Sequence, residues 1–141
     1  MHASVEIRVI GEDDIVWMGA LCSKRYQGKF DEKASAAWLR RTVFPNDRLF
    51  RAVRTNQAFA ISRMDYAPWF PDDPEVSVQL ACADHGHMLQ LLKLLRDSVD
   101  WAKSRNAAIW RCCSDTEYRF DGIARLMGAE EIQPRFVMRL R

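Results

Sequence analysis

Apolar and polar residues alternate at the start of the chain. Val5, Ile7 and Val9 are separated by Glu6 and Arg8, the two-residue period of a strand with one buried face. The period lengthens after Gly11. Ile15, Met18, Cys22 and Tyr26 recur near helical spacing behind Glu12, Asp13 and Asp14, an acidic first turn that suits the positive end of a helix dipole. A second helix is predicted over residues 31–44, with Ala34, Trp38 and Leu39 facing inward and Pro45-Asn46-Asp47 ending it. Strands are predicted over 49–53 and 57–64, joined by a Thr55-Asn56 turn, and over 75–83, where Val76, Val78, Leu80 and Cys82 point one way. Pro68, Pro71 and Pro74 make the segment before that third strand a loop.

The strongest amphipathic stripe follows, over residues 88–103, with Met88, Leu91, Leu92, Leu95, Val99 and Ala102 on one face. Asn106 is a helix stop, and residues 107–113 read as a buried strand. Ser114-Asp115-Thr116-Glu117 has the form of a capping box, so a short helix is expected to run to about Met127, with Gly128 just past its end. Two last strands, near 130–133 and 135–140, are divided by Pro134. The order β-α-α-β-β-β-α-β-α-β-β predicts an α/β (α+β) domain spanning 1–141. Its single mixed, mostly antiparallel sheet is flanked by helices.

Composition narrows the function classes. The 141 residues are 48% apolar and 28% charged, as in a globular domain rather than a disordered tail. Lys and Arg number 21 against 19 Asp and Glu, a net charge of +2 that is too even to suggest nucleic acid as a partner. No apolar run approaches a membrane span, and the N-terminus lacks the form of a signal peptide, so a cytoplasmic location is expected. Cys22, Cys82, Cys112 and Cys113 sit in apolar stretches and read as buried reduced thiols. His85 and His87 lack the further nearby ligands that a zinc site needs, so no metal is expected.

Several short sequences in this order resemble the GNAT superfamily of acyl-CoA-dependent N-acetyltransferases. Ile7-Arg8-Val9 with Glu12-Asp13-Asp14-Ile15 is similar to its opening strand and first helix. Leu80-Ala81-Cys82-Ala83-Asp84 resembles the strand that leads into its pyrophosphate loop, and Val99-Asp100-Trp101-Ala102-Lys103 the end of its central helix. Leu126-Met127-Gly128-Ala129 is similar to the turn closing its last helix. The resemblance implies acetyl-CoA as cofactor, lying across the splayed third and following strands, with its pyrophosphate at the loop before the long helix. Cys82, Asp84, His85, Gly86, His87, Met88 and Leu89 are the cofactor-binding candidates there.

The chemistry departs from the family pattern. The family loop reads Arg/Gln-x-x-Gly-x-Gly/Ala, whose glycines let backbone N–H groups approach phosphate. Here only Gly86 matches, bulky Met88, Leu89 and Leu91 follow it, Asp84 adds a negative charge, and no basic cluster flanks it in the sequence. His85 and His87 are candidate phosphate donors or, near neutral pH, a base. The family's thiolate-protonating Tyr position falls on Ala124, leaving Tyr118 on another face as the catalytic candidate. Glu75, with Ser77 and Gln79 on its strand face, is the candidate base for an amine.

Exposed aromatic and apolar side chains supply candidate protein contacts: Trp69 and Phe70 on the proline-stiffened loop, Leu94 and Trp101 off the main helical stripe. Small proteins of this fold with an eroded cofactor loop resemble a group encoded by tailed phages, some of them virion components. The expected function is therefore an acetyltransferase-like protein with weak or lost acetyl-CoA catalysis, acting as an interaction, assembly or virion component with a protein partner and open to oligomer formation; the alternative is an active N-acetyltransferase on a small or protein amine.

Overall fold

The computed structural model describes residues 5–66, 72–112, 121–130, 138 and 140. Five strands lie in chain order across one sheet: β1 (Arg8–Val9), β2 (Phe50–Arg54), β3 (Ala58–Asp65), β4 (Glu75–Ala83) and β5 (Ile109–Arg111). The first four pair antiparallel, and β5 joins β4 in parallel. Helices α1 (Ile15–Tyr26) and α2 (Glu32–Trp38) follow β1, α3 (Met88–Ser104) makes the crossover that a parallel pair requires, and α4 (Asp121–Leu126) follows β5. The predicted mixed, mostly antiparallel α+β architecture holds through α4. The two predicted C-terminal strands lie almost wholly outside the described residues.

Register and contacts divide the sheet into two covered faces. Trp17 of α1 packs edge-on against Phe59, and Trp38 of α2 against Phe50, so Phe50, Ala52, Phe59 and Ile61 face these helices. On the other face, Arg51 forks onto Asp97 of α3 at 2.6 and 2.9 Å. Ser62 and Ser98 share a buried hydrogen bond of 2.6 Å, and the Trp110 indole N–H donates to Ser98 at 2.9 Å. That chain of polar contacts ties β3, α3 and β5 together. Because both faces are covered, Ala81, Cys82 and Ala83 at the end of β4 are all buried.

Asp14 is the polar anchor of the opposite side. Its carboxylate, 4% exposed, accepts a two-pronged bond from Arg8, the Gly11 N–H at 2.8 Å and Arg54 at 2.9 Å. Arg54 in turn lies over the Trp17 ring, 3.4 Å from its centroid. One carboxylate thus joins β1, the start of α1 and the end of β2. Burial pushes the Asp14 carboxyl up, but the bonds from Arg8, Gly11 and Arg54 outweigh it and hold the group below its ordinary range.

The structure corrects several expectations. The opening strand is two residues long, Val9 is exposed, and the inward side chain is Ile10. The predicted second helix is α-helical only to Trp38. Leu39–Val43 then forms a wider π turn, closed by the Phe44 N–H on the Leu39 carbonyl at 2.9 Å. That turn buries both Leu39 and Val43, while Ala34 is exposed. β5 is shorter than predicted and has two exposed residues rather than a buried run. Asn106 ends α3 with φ +57°, and Gly128 follows α4 with φ +80°, both as expected of helix stops.

Asp14→Asn is expected to destabilise the fold by about 1–3 kcal/mol, since it leaves Arg54 and Arg8 without their anion. The depressed carboxyl contributes above the ordinary Asp pKa of about 3.9 and loses its contribution as pH falls through the folded value. Denaturant unfolding of both proteins should therefore show a gap that is full at neutral pH and narrows in acid.

Candidate acyl-donor cleft

β4 and β5 pair at only three positions: Glu75 with Ile109, Val76 with Trp110, and Ser77 with Arg111. β4 then runs on to Ala83 against β3 without a described partner on its other edge. Just past the split the register shifts. Ile61 faces Leu80 and Ser62 faces Val78, so Gln79 is an extra residue, a bulge. A one-residue slip moves side chains to the opposite face. Val76 and Val78 consequently share the α3 face with Ser62, while Leu80 and Cys82 share the α1 face with Ile61 and Phe59. The prediction that all four point one way is corrected by this bulge.

The far end of the cleft is the loop from β4 into α3. The Asp84 N–H donates to the Gln57 carbonyl at 2.8 Å, and the His87 N–H to the Asp84 carbonyl at 3.0 Å. Gly86 sits at φ +82°, a conformation that disfavours any Cβ, although open space surrounds the place where one would stand. Gln90 fixes the first turn of α3, its side-chain oxygen accepting from Thr55 Oγ1 at 2.6 Å and the Gln57 N–H at 3.0 Å. Two of the three bulky residues clear the loop: Leu91 is fully buried in the core and Leu89 is 80% exposed. Met88 is half-buried against the core, His87 is half-buried and His85 exposed.

Folding supplies the cations that the local sequence lacks. Lys24 and Arg25, in the last turn of α1, reach this loop: Lys24 Nζ lies 3.1 Å from Asp84 Oδ1, and Arg25 donates to the Ala83 carbonyl at 3.2 Å. The same Asp84 oxygen accepts the His85 N–H at 2.9 Å. Lys24 first, then the His85 N–H, hold the Asp84 carboxyl below its ordinary range. Asp84 thus fills one backbone donor with an anion of the chain's own. A contact sixty residues apart in sequence had no local signal, apart from two basic residues at a helix C-terminus.

Glu75 lies at the closed end of the cleft. Both its carboxylate oxygens accept from Arg111, at 2.9 and 3.1 Å. On the same sheet face, Arg63 pairs with Asp65 at 2.9 Å, Ser77 Oγ donates to Asp65 at 3.4 Å, and Gln79 donates to Ser77 at 2.6 Å. Cys82 is buried against α1, where a hydrogen bond to Cys82 and burial raise the Cys22 thiol pKa; both read as packing thiols, and neither thiol is accessible to a ligand. Leu94, named as a partner contact, is fully buried in the core because the sheet covers that helix face. Trp101 is half-buried beside Met64, Val76 and Ala102, with the Arg105 guanidinium 5.5 Å from its ring centroid. Tyr118, Trp69 and Phe70 lie outside the described residues. Among the described residues no helix is long and apolar enough to cross a membrane, and no group of three or more His, Cys, Asp or Glu could hold a metal ion.

Solved structures superpose on nearly the whole chain. One is the ribosomal-protein-alanine N-acetyltransferase of Brucella melitensis biovar Abortus 2308, at 17% identity and TM-score 0.72, covering 96% of this chain and 100% of that one. Another is an aminoglycoside N-acetyltransferase in complex with CoA, at 13% identity and TM-score 0.72, covering 100% and 97%. The chain has the GNAT fold. A transcriptional regulator from Bacillus halodurans C-125 has it too, at 12% identity and TM-score 0.78 over 97% and 100%, so a GNAT fold by itself assigns no activity. No family model and no curated protein matches the chain.

Asp84→Asn removes the internal anion from the GNAT loop and is expected to tighten acetyl-CoA several-fold, whereas Lys24→Ala weakens it. Calorimetric titration at low and high salt checks both, since the effects of these exposed charges shrink with ionic strength. Equal affinities in all three proteins would contradict the assignment of this loop to phosphate.

Proposed function

We propose that this GNAT-fold chain is an acetyl-CoA-dependent N-acetyltransferase acting on an amine. The observation that carries the reading is the early parting of β5 from β4 beside the Gln79 bulge, which opens a cleft leading to Gly86, Lys24 and Arg25. Beyond Ser77 that edge of β4 has no strand partner among the described residues, and at Gln79 and Leu80, which are accessible where Ala81, Cys82 and Ala83 are buried, its backbone would meet an extended ligand bearing amides. On this reading Gly86, His85, His87, Lys24 and Arg25 would hold the donor's phosphates. The donor supplies an acyl group activated as a thioester. What the chain contributes is position: the bulge region holds the carbonyl where an amine beside Glu75 and Ser77 can meet it.

A second reading is a binding module with weak or lost acetyl transfer, kept for interaction or assembly. It is favoured by the two internal ion pairs: Asp84 occupies the His85 N–H and Lys24, and Arg111 occupies both oxygens of Glu75.

Calorimetry with acetyl-CoA, followed by thiol release in the presence of an amine panel, separates the readings. Acetyl-CoA is expected to bind and to release thiol with at least one amine. Gly86→Val should weaken binding without unfolding the protein, because nothing lies within 4 Å of the added Cβ and only the φ of +82° is strained. Binding without any thiol release would favour the module, and no binding at millimolar acetyl-CoA would overturn the acetyltransferase reading.

A further inference from the structure

We propose that Arg111 selects acceptors that carry a carboxylate close to their amine, by exchanging its bond to Glu75 for a bond to that carboxylate. The proposal rests on the N-acetyltransferase reading and names the acceptor class for the same cleft.

The register places the charges. Arg63, Ser77 and Arg111 form one row across β3, β4 and β5, and Asp65, Glu75 and Ile109 form the next, all on one face of the sheet. Ser77–Arg111 is the last pair before the two strands part, so the Arg111 guanidinium stands at the closed end of the cleft. Its grip on Glu75 is two-pronged, the geometry that fits any carboxylate. With side chains 51% and 33% exposed, the pair sits where an ion pair adds little stability, so a ligand carboxylate can compete for it.

The neighbouring charges decide what must accompany that carboxylate. Asp65 lies directly opposite Glu75 across the antiparallel pair, and like charges so placed repel. Asp65 is already held by Arg63 and Ser77. Once Arg111 turns to a ligand, Glu75 needs a cation of its own, and an ammonium on the same ligand supplies it. Of the described residues in these two rows, Arg63, Arg111, Asp65 and Glu75 sum to zero charge, and a zwitterion leaves that balance intact. A simple amine adds uncompensated positive charge, and a simple acid adds negative charge. With the ammonium against Glu75, one proton leaves nitrogen for a carboxylate oxygen, an N–H bond breaking as an O–H bond forms, and the nitrogen lone pair is freed for the acyl carbon.

Glycylglycine and glycylglycine amide differ in the carboxylate and share the amine. Ligand-observed NMR titrations of each, with and without CoA, are expected to show the wild type preferring glycylglycine about tenfold, the scale of a charge-assisted forked bond. Arg111→Gln should abolish the preference, and Arg111→Lys, which keeps the charge without the fork, should retain part of it. Equal binding of the two peptides by the wild type overturns the proposal, and so does a preference that survives Arg111→Gln in a folded protein. Thiol release from acetyl-CoA with the same peptides is read separately. Its absence while the binding preference stands would remove the enzymatic reading and leave the recognition by Arg111.

Discussion

One unpaired residue in β4 organises the functional half of the molecule. β3 and β4 pair continuously, and inserting Gln79 between the Val78 and Leu80 pairings reverses which face each later side chain meets. Below the bulge, β4 presents Val76 and Val78 to α3, leaving Glu75 and Ser77 on the α1 face; above it, Leu80 and Cys82 turn to α1. The extra residue also bends the strand and strengthens its local twist just where β5 stops following. A regular β4 would keep one face apolar along its whole length and would offer β5 a straight edge to pair with.

A split sheet needs ties besides its own strand ladder. Ser62, Ser98 and Trp110 perform that task below the split, joining β3 to α3 and α3 to β5 through buried donors and acceptors. Asp14, Arg54 and Trp17 perform it on the opposite face, tying β2 to the start of α1. The first set links the two sides of the split through α3, and the second lies wholly on the side of β1 and β2. Unsatisfied buried polar groups cost more than their bonds return on average, so these networks fix geometry more than they add stability. The consequence for function is that α1, which carries Lys24 and Arg25, and α3, which begins at the loop they reach, are each anchored to the sheet before they meet at Asp84.

Periodicity revealed the elements and missed the relations between them. The stripe from Met88 to Ala102 is strong because it buries a regular face, and the run from Glu75 to Ala83 because its residues alternate in sequence. The bulge was invisible because Val76, Val78, Leu80 and Cys82 alternate perfectly in sequence, and only pairing with β3 shows the slip. Leu94 looked peripheral since a helical wheel does not show how far the sheet extends, and the sheet covers it. Local sequence around Gly86 likewise suggested a loop short of positive charge. The missing cations came from α1, a contact set by tertiary folding and unreadable from the loop itself. Glu75 was found from its strand face, but its bond to Arg111 depends on a parallel pairing that no local pattern announces.

Both ends of the cleft share one electrostatic device. At the loop, Asp84 stands in for an anion between Lys24 and a backbone N–H; at the closed end, Arg111 stands in for a cation on Glu75. Each pair is exposed enough for water to screen it, so each adds little to stability. A phosphate-bearing donor brings several charges and backbone contacts at once, so it can outcompete a single carboxylate at the loop. On the proposed reading, an acceptor at the other end would have to match two partners together, because removing Arg111 alone would leave Glu75 facing Asp65 without that cation. Internal partners this exposed satisfy the charged groups while remaining displaceable. The same arrangement that looks like a blocked site in the absence of ligands therefore sets a charge pattern that a ligand must reproduce.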